Sequence, residues 1–484
     1  MKNAKKVILS LSVVACMFAA IACGKKDEKT EATPTPSQAA TQQATQEVTP
    51  TEAPRDLKGL EVTLIDWWSG DDWDNANNAY QEAFYDMLHQ AEKDHNFSFK
   101  RQNAGFDWGD AYKEGVALSI TNNEPIGSIV TMDNRWIAAL MGAGQFLDVS
   151  KYPSVDWNDT KWNQAVKEVM SVNGGIYGFA YGAEARTGVF FNKAIFKQLG
   201  VDVNLPYDLQ KEGKWSWDEF LKLCKDLTKD TNNDGVIDIY AVAGQDYLVS
   251  YGAPQSNGTF VITKDSTGLL KVNADDPAVL AALNFVRTLH DDGYFMPTPG
   301  TPGDGESGWT WDWFRPAFNE GKTAMRIEEE WVDTQQLTGT GIDFGFVTFP
   351  YGPNVGKAVS IIRENILFVP ACEKTKSVAD DIMYAYNWYC SIPEGYENDD
   401  ARWKANYDWK FEDERAVDET IRIMVVTGKQ YMYDATLIPN FSDAWSGGDG
   451  WSGELENGKT ASELLESWTP TWQTLVDDFN AKFK

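Results

Sequence analysis

Residues 67–73 read WWSGDDW and place three tryptophans and two aspartates within seven positions. Indole rings are large, flat and amphipathic, so they offer apolar faces on which sugar rings can stack. Carboxylates accept hydrogen bonds from hydroxyl groups, and such charge-assisted bonds are the stronger kind. Trp67, Trp68, Asp71 and Asp72 are therefore candidate ligand-binding residues. The alternative is that the aspartates only precede a helix, where negative charge is favourable in any case.

A second stretch has the spacing of a calcium loop. The oxygen-bearing residues at its positions 1, 3, 5, 7 and 9 are Asp230, Asn232, Asp234, Val236 and Asp238. Gly235 at position 6 permits the sharp turn of an EF-hand loop, in which position 7 contributes a backbone carbonyl. Position 12 is Ala241, so the usual bidentate carboxylate is missing. The pattern predicts a structural calcium ion, and the alternative is a surface turn.

Signals for other chemistry are few. The chain has three histidines, no HExxH metal motif and no serine-nucleophile elbow, which disfavours zinc and serine hydrolases. Cys224, Cys372 and Cys390 are odd in number and lack zinc-site spacing, so we expect buried, unpaired thiols. A formal net charge of −29 disfavours nucleic-acid binding. We expect a protein that is not an enzyme, although a pair of catalytic carboxylates stays open among 72 acidic residues.

The elements that position these residues follow a βαβαβ order. The branched-rich segment 60–68 predicts a strand, 77–95 a helix and 126–132 a third strand, with a strand and a helix between them. This order predicts an α/β fold with a parallel sheet, and ligands of such sheets bind outside the carboxyl ends of the strands. The segments 67–73 and 133–136 both leave strands at that end.

The N-terminus predicts export and a lipid anchor. Residues 1–22 combine a basic start with a short apolar run, which is typical of a signal peptide. Ala20 to Cys23 resemble the bacterial lipobox, so Cys23 is the expected lipidation site. Residues 23–57 are poor in large apolar side chains and predict a disordered tether. We therefore expect the protein on the outer face of the cell membrane; plain secretion is the alternative.

The rest of the chain is longer than one core usually serves, so two lobes are expected. The whole chain contains 20 tryptophans, many of them in loops rich in Gly, Asp and Ser. Core packing alone does not readily account for so many indoles. The excess favours a ligand with several stacked sugar rings over a monosaccharide.

Four motifs in order carry a family resemblance. They are GVFFNK at 188–193, WSWDEF at 215–220 with Ser216 as helix N-cap, FNEGKTAM at 318–325 and SWTPTWQTLVDDFN at 467–480. Their order and spacing resemble family 1 extracellular solute-binding proteins, the sugar-binding lipoproteins of ABC importers related to maltose-binding protein. The proline that usually precedes the second motif is missing here.

The resemblance implies a two-lobe type II binding-protein fold. One lobe would comprise 58–170 plus 325–368 and the other 171–324 plus 369–484, joined by hinge crossovers around a cleft. A monomer would close on a neutral oligosaccharide and deliver it to the permease subunits of an ABC importer. An extracellular glycoside hydrolase and a carbohydrate-binding adhesin without a transport role are the alternatives.

The resemblance also implies further cleft residues. They are Asp133, Asn134 and Trp136 after the third strand, Glu184 and Arg186, the loop residues Gln245, Asp246 and Tyr247, and the aromatics Trp331 and Trp445. Two alternatives stay open. Asp133 and Arg135 would form a surface pair, and Glu184 and Arg186 a buried hinge pair.

Overall fold

The computed structural model describes most of the chain after the tether. The described residues are 55–70, 73–298, 312–332, 337, 339–363, 365–397, 400–439, 441 and 450–483. The predictions for Cys23, Asp71, Asp72 and Trp445, and for the signal peptide, lie outside them. The end of the tether was placed too late, because Leu57 is buried and Arg55 pairs with Asp380 at 2.9 Å.

Strands and helices alternate along most of the described chain. In chain order, strands β1 to β14 span Leu60–Asp66, Phe97–Asn103, Ile129–Met132, Ser171–Val172, Gly175–Ile176, Thr187–Asn192, Tyr240–Gly244, Ile262–Lys264, Leu270–Val272, Thr323–Glu329, Phe344–Thr348, Ser360–Ile361, Ile366–Phe368 and Gln430–Tyr431. The α-helices span Ala79–His95, Asp110–Thr121, Ile137–Gly142, Gln164–Met170, Lys193–Gln198, Leu205–Lys211, Trp217–Leu227, Asp246–Ser256, Pro277–Asp291, Phe314–Asn319, Glu373–Lys376, Ala379–Tyr389, Ala401–Lys404, Trp451–Glu456 and Ala461–Asn480. Short 3₁₀ or π segments span Val149–Lys151, Glu330–Val332, Ala416–Ile421, Ile423–Thr427 and Asp434–Leu437.

The first sheet has the strand order β13-β3-β1-β2. Strand β1 is parallel to β2 and β3, whereas β13 is antiparallel to β3. Parallel neighbours need a crossover, which the helices Ala79–His95 and Asp110–Thr121 provide. The predicted βαβαβ order is confirmed. The carboxyl ends of β1, β2 and β3 therefore lie at one edge of the sheet.

The second sheet has the order β14-β12-β6-β10-β7, with β11 also paired to β6. Strand β10 is parallel to β7 and antiparallel to β6. The strands in 325–368 were expected with the first lobe, but β10, β11 and β12 all pair with β6. Both β10 and β11 are buried along their whole length, as strands inside a sheet covered on both faces are.

The helix Ala379–Tyr389 needs a similar correction. It was expected with the second lobe, but it packs on the first sheet, where Tyr389 stacks on Phe99 at a centroid distance of 4.4 Å. Within the described residues the chain thus passes between the sheets in three places, between 132 and 187, 361 and 366, and 389 and 430. The second of these crossings is the shortest and contains Arg363.

Several local predictions are confirmed. The hydroxyl of Ser216 accepts the backbone N–H of Glu219 at 3.4 Å and caps the helix Trp217–Leu227. Cys224, Cys372 and Cys390 are buried free thiols. Among the helices described, none combines the length and apolarity that a membrane crossing requires.

Candidate functional site

The turn after β1 is held by Asp66, which is fully buried. Its carboxylate accepts the backbone N–H groups of Trp68 at 3.0 Å and Ser69 at 2.6 Å, and a guanidinium N–H of Arg101 at 2.9 Å. An aspartate that caps its own turn in this way fixes the backbone that follows it. The turn therefore holds Trp67 and Trp68 in place.

Five rings gather beside this turn, and we call them the aromatic wall: Trp67, Trp68, Trp108, Tyr112 and Trp136. The ring of Trp67 lies 4.8 Å from Trp68, 5.2 Å from Tyr112 and 5.5 Å from Trp136. Trp108 lies 5.5 Å from Trp136. Trp136 is only 7% exposed, whereas Trp68 is 50% and Trp108 48% exposed. Two indoles are thus open to solvent while their neighbours anchor them.

Trp73, the third tryptophan of the WWSGDDW stretch, packs differently. Its ring lies 6.0 Å from Tyr85 and 6.1 Å from Phe99, and its backbone carbonyl accepts the Tyr85 hydroxyl at 2.7 Å. These contacts attach the helix Ala79–His95 to the first sheet. Trp73 is therefore explained by packing.

Asp133 is buried and organises the wall from behind. It accepts the backbone N–H of Arg135 at 3.0 Å, its guanidinium at 2.7 and 2.6 Å, and the indole N–H of Trp108 at 3.1 Å. Burial by itself raises the pKa of a carboxyl, but the bonds from Arg135 and the charge of Arg363 hold the pKa of Asp133 well below its usual value. Arg135 also lies over the Trp108 ring at 4.5 Å. Asp133 is thus buried, Arg135 is partly buried, and the pair positions Trp108.

A polar group of five side chains, which we call the inter-sheet network, joins the two sheets: Asp133, Asn134, Tyr247, Arg363 and Tyr433. Asn134 donates to the Tyr433 hydroxyl at 2.7 Å and accepts from Arg363 at 3.2 Å. Arg363 donates to the Tyr247 hydroxyl at 2.7 Å and lies 3.7 Å from Asp133. Asp133 follows β3 of the first sheet, and Tyr247 follows β7 of the second. The network therefore connects the carboxyl ends of strands from both sheets.

A cavity of about 440 Å³ opens against the aromatic wall. Its lining residues are Trp108, Asp110, Lys113, Arg135, Trp136, Ala139 and Pro439. Small-molecule sites typically have volumes of roughly 300–1,000 Å³. The cavity combines indole surface with charged side chains, and Trp136 is the one lining residue that was predicted from the sequence as a ligand contact.

The remaining predicted residues have varied surroundings. Trp331 follows β10, is 37% exposed and donates its indole N–H to Glu329 at 2.6 Å. Arg186 is buried and pairs with Glu184, whose side chain is 56% exposed. Gln245 is partly buried and precedes the helix Asp246–Ser256; the side chain of Asp246 lies outside the described part. The structure thus brings six predicted residues into one connected set with Arg363 and Trp108: Trp67, Trp68, Asp133, Asn134, Trp136 and Tyr247.

The predicted calcium loop closes on itself. Asp230 accepts the backbone N–H groups of Asn233 at 2.7 Å and Gly235 at 2.8 Å, and Asp238 accepts the backbone N–H of Thr231 at 2.7 Å. In the described part of the chain, no group of three or more acidic, histidine or cysteine side chains is placed to hold a metal ion. Calcium binding therefore stays a prediction from the spacing.

Sequence reasoning missed four residues of the wall and the network: Trp108, Tyr112, Arg363 and Tyr433. Trp108 lies just beyond the carboxyl end of β2, so the criterion that found Trp67 and Asp133 applies to it as well. Arg363 and Tyr433 lie in no recognisable motif. Only the three-dimensional path of the chain brings them to Asn134.

Comparison with protein families gives one match. A family model described as bacterial extracellular solute-binding protein matches residues 86–391, which is more than half of the chain. A search of curated protein sequences gives no match.

Comparison with solved structures gives many similar chains. The cyclic alpha-maltosyl-1,6-maltose binding protein of Arthrobacter globiformis has a TM-score of 0.60 and 15% identity, covering 87% of this chain and 100% of that one. A cyclo/maltodextrin-binding protein solved with maltotetraose has a TM-score of 0.57 and 14% identity, and the match covers 88% of this chain and 98% of that one. UgpB of Mycobacterium tuberculosis, solved with glycerophosphocholine, has a TM-score of 0.54 and 16% identity, and the match covers 86% of this chain and 98% of that one. At such identities the likeness establishes the fold, and it confirms the expected two-lobe α/β architecture.

Proposed function

The chain belongs to the family of bacterial extracellular solute-binding proteins, and we propose that its solute is a neutral oligosaccharide. The observation that carries the proposal is the aromatic wall beside the 440 Å³ cavity. Trp68 and Trp108 are each about half exposed although their neighbours are packed. Large exposed rings cost free energy in water, so their retention beside a cavity favours a ligand with apolar faces.

The charges around the wall favour a neutral ligand over an anionic one. Arg135 is paired with Asp133, and Arg363 lies close to the same carboxylate. A sugar matches this surface, because its C–H faces pack on indoles while its hydroxyls reach polar side chains. Two relatives of the same fold carry maltose-type ligands in their names, which supports the class, whereas a third was solved with glycerophosphocholine. The fold alone therefore does not select the ligand.

Delivery to an importer completes the proposal. Lipidated Cys23 would hold the protein at the outer face of the membrane, and residues 23–54 would let the binding lobes reach the permease subunits. The lipobox-like sequence and the apolar-poor tether support this arrangement. A monomer that closes around its ligand would present a distinct surface to the permease.

Thermal unfolding of the full-length protein against neutral oligosaccharides, with maltotetraose first, tests the proposal. A ligand at 100 times its Kd stabilises the folded state by about 2.7 kcal/mol. We expect one sugar class to raise the Tm without being hydrolysed. Hydrolysis of the bound sugar would indicate a glycoside hydrolase instead, and no rise with any sugar would contradict the proposal.

Trp68→Ala and Trp409→Ala form a matched pair for the placement of the site. Both indoles are exposed, Trp68 at 50% and Trp409 at 65%, but only Trp68 belongs to the aromatic wall. We expect Trp68→Ala to weaken sugar binding and Trp409→Ala to leave it unchanged, with both proteins folded. Equal affinities would show that the wall does not contact the ligand.

A further inference from the structure

Three consecutive glutamates lie at the end of β10 and the start of the segment Glu330–Val332, and all three are buried: Glu328, Glu329 and Glu330. Arg315 donates to Glu328 at 3.0 Å, and Lys410 donates to Glu330 at 2.7 Å. Among the described residues no cation hydrogen-bonds Glu329, and its Oε2 accepts the indole N–H of Trp331 at 2.6 Å. Its other oxygen, Oε1, is buried and has no hydrogen-bond partner in the part of the chain that the structure describes.

An unsatisfied carboxylate oxygen inside a protein is costly, because water has been removed and nothing replaces it. Native structures satisfy most buried polar atoms, so each exception needs an explanation, and a group that binds there is one such explanation. The two neighbouring glutamates show that this segment of the chain can supply cations to buried carboxylates. The open acceptor of Glu329 therefore calls for a donor from outside the chain.

Glu329 lies close to the inter-sheet network. It ends β10, and the parallel neighbour β7 leads to Tyr247. Burial raises the pKa of Tyr247, Arg363 opposes this, and the negative charge of Glu329 adds to the rise. Burial lowers the pKa of Arg363, but Tyr247 and Glu329 are among the groups that raise it well above its usual value. Glu329 thus lies near Tyr247 and Arg363 of the inter-sheet network.

We propose that Oε1 of Glu329 accepts a hydrogen bond from a hydroxyl of the sugar that the family resemblance places on the ring of Trp331. The inference rests on the proposed function and names a residue that sets its specificity. One carboxylate would do two things, since Oε2 fixes the indole and Oε1 receives the hydroxyl. A hydroxyl next to an apolar ring face is the chemistry of a sugar edge. The nearby Arg363 disfavours a cationic donor.

Glu329→Gln tests the assignment, because the amide keeps the shape and an acceptor for Trp331 but removes the charge. We expect affinity for the stabilising sugar, measured by calorimetry on the full-length protein, to fall about 10- to 100-fold, as for loss of a hydrogen bond to a charged group. The Tm without sugar should change little, because the substitution removes a buried charge that no cation hydrogen-bonds but also removes the negative charge beside Arg363.

Glu330→Gln is the matched control. Its carboxylate is equally buried but already bound by Lys410, so the substitution should lower the Tm without sugar and leave affinity unchanged. Analogues of the sugar that lack one hydroxyl give a second readout. One of them should bind the wild type more weakly and bind Glu329→Gln with no additional loss.

The outcomes separate the two claims. A wild type that binds a sugar together with a Glu329→Gln variant of equal affinity overturns this inference and leaves the proposed function intact. A wild type that binds none of the sugars, maltotetraose included, overturns the proposed function and this inference with it.

Discussion

At the scale of single residues, Arg363 is the side chain on which most of the site depends. It lies in the short crossing between β12 and β13 and contacts residues that follow strands of both sheets. Its guanidinium serves Asn134, Tyr247 and Asp133 together. A planar fork of five donors suits such a junction better than the single ammonium of a lysine does.

Arg363→Met is expected to lower the free energy of unfolding by about 1.5–3 kcal/mol, the typical value of hydrogen bonds to a charged group. The partners Asn134 and Tyr247 would lose a donor that water cannot readily replace. Urea unfolding with fluorescence detection measures the change. Lys100→Met is the control, because its pair with Glu61 is exposed on both sides and such pairs contribute little. If Arg363→Met and Lys100→Met unfold at the same urea concentration, the proposed stabilising role of Arg363 is wrong.

Residue types at strand ends predicted much of the site, but their partners were not readable. Trp67, Asp133 and Trp136 follow strands at the edge where ligands of α/β sheets bind, and the structure places them together. The contacts of Asp133 with Trp108 and Arg363 could not be predicted, because these two residues lie 25 and 230 positions away from it in the sequence. Only the topology selects such partners. A carboxylate that looked available to a ligand is therefore engaged by the protein.

At the scale of elements, the helix Gln164–Met170 ends on a buried cation. Lys264 of β8 donates to the carbonyls of Glu168 and Val169 at 2.5 Å and of Ser171 at 2.8 Å, and Asp434 lies 3.7 Å away. A cation at a helix C-terminus is favourable. Burial nevertheless lowers the pKa of Lys264 to about 8 and raises the pKa of Asp434 to about 6. Burial thus disfavours the charged form of each group.

Asp434→Asn is expected to change how the stability of the protein depends on pH. A carboxyl with a raised folded-state pKa contributes stability at low pH that is lost as the pH rises from about 4 to about 6. As the pH rises through this window, the free energy of unfolding of the wild type should therefore fall relative to that of Asp434→Asn. Asp276→Asn should show the opposite trend at lower pH and lose stability relative to the wild type as the pH rises toward about 4, since hydrogen bonds lower the pKa of Asp276 despite the effect of burial. A difference independent of pH would contradict the raised pKa.

The loop 230–238 offers a second prediction for a single element. Thr231 donates two hydrogen bonds to the carboxylate of Asp238, from its backbone N–H at 2.7 Å and from its hydroxyl at 2.5 Å. A calcium ion would have to compete with both. Removing the hydroxyl frees one acceptor of the carboxylate. We expect calcium, compared with EDTA, to raise the Tm of Thr231→Val more than that of the wild type. If neither protein responds to calcium, the loop is a turn held by its own hydrogen bonds.

The order of elements was predictable, whereas the assignment of strands to sheets was not. Hydrophobic periodicity placed β1 and the helix that follows it, and the Ser216 cap fixed a helix start. Within the segment 325–368, β13 does lie in the first sheet, but β10, β11 and β12 were assigned wrongly to the first lobe. A fully buried strand shows no alternation that identifies its neighbours. Pairing with β6 is a long-range choice that local patterns do not encode.

At the scale of the whole molecule, charge bears on the choice of ligand. The chain carries a formal net charge of −29 at pH 7 and has 72 acidic residues. A field of this sign repels anions approaching the site and leaves neutral solutes unaffected. It also reaches farther at low ionic strength, because the screening length is about 30 Å at 0.01 M salt and about 10 Å at 0.1 M.

Salt dependence therefore distinguishes a neutral sugar from an anionic one. We expect affinity for the neutral oligosaccharide to change by less than about twofold between 0.01 and 0.5 M NaCl, since no net ligand charge couples to the field. A carboxylated or sulfated form of the same sugar should bind more weakly, and most weakly at low salt. Calorimetry at both salt concentrations measures this. Tighter binding of the anionic form at low salt would mean that local cations such as Arg135 outweigh the acidic surface, and the assignment to neutral sugars would be wrong.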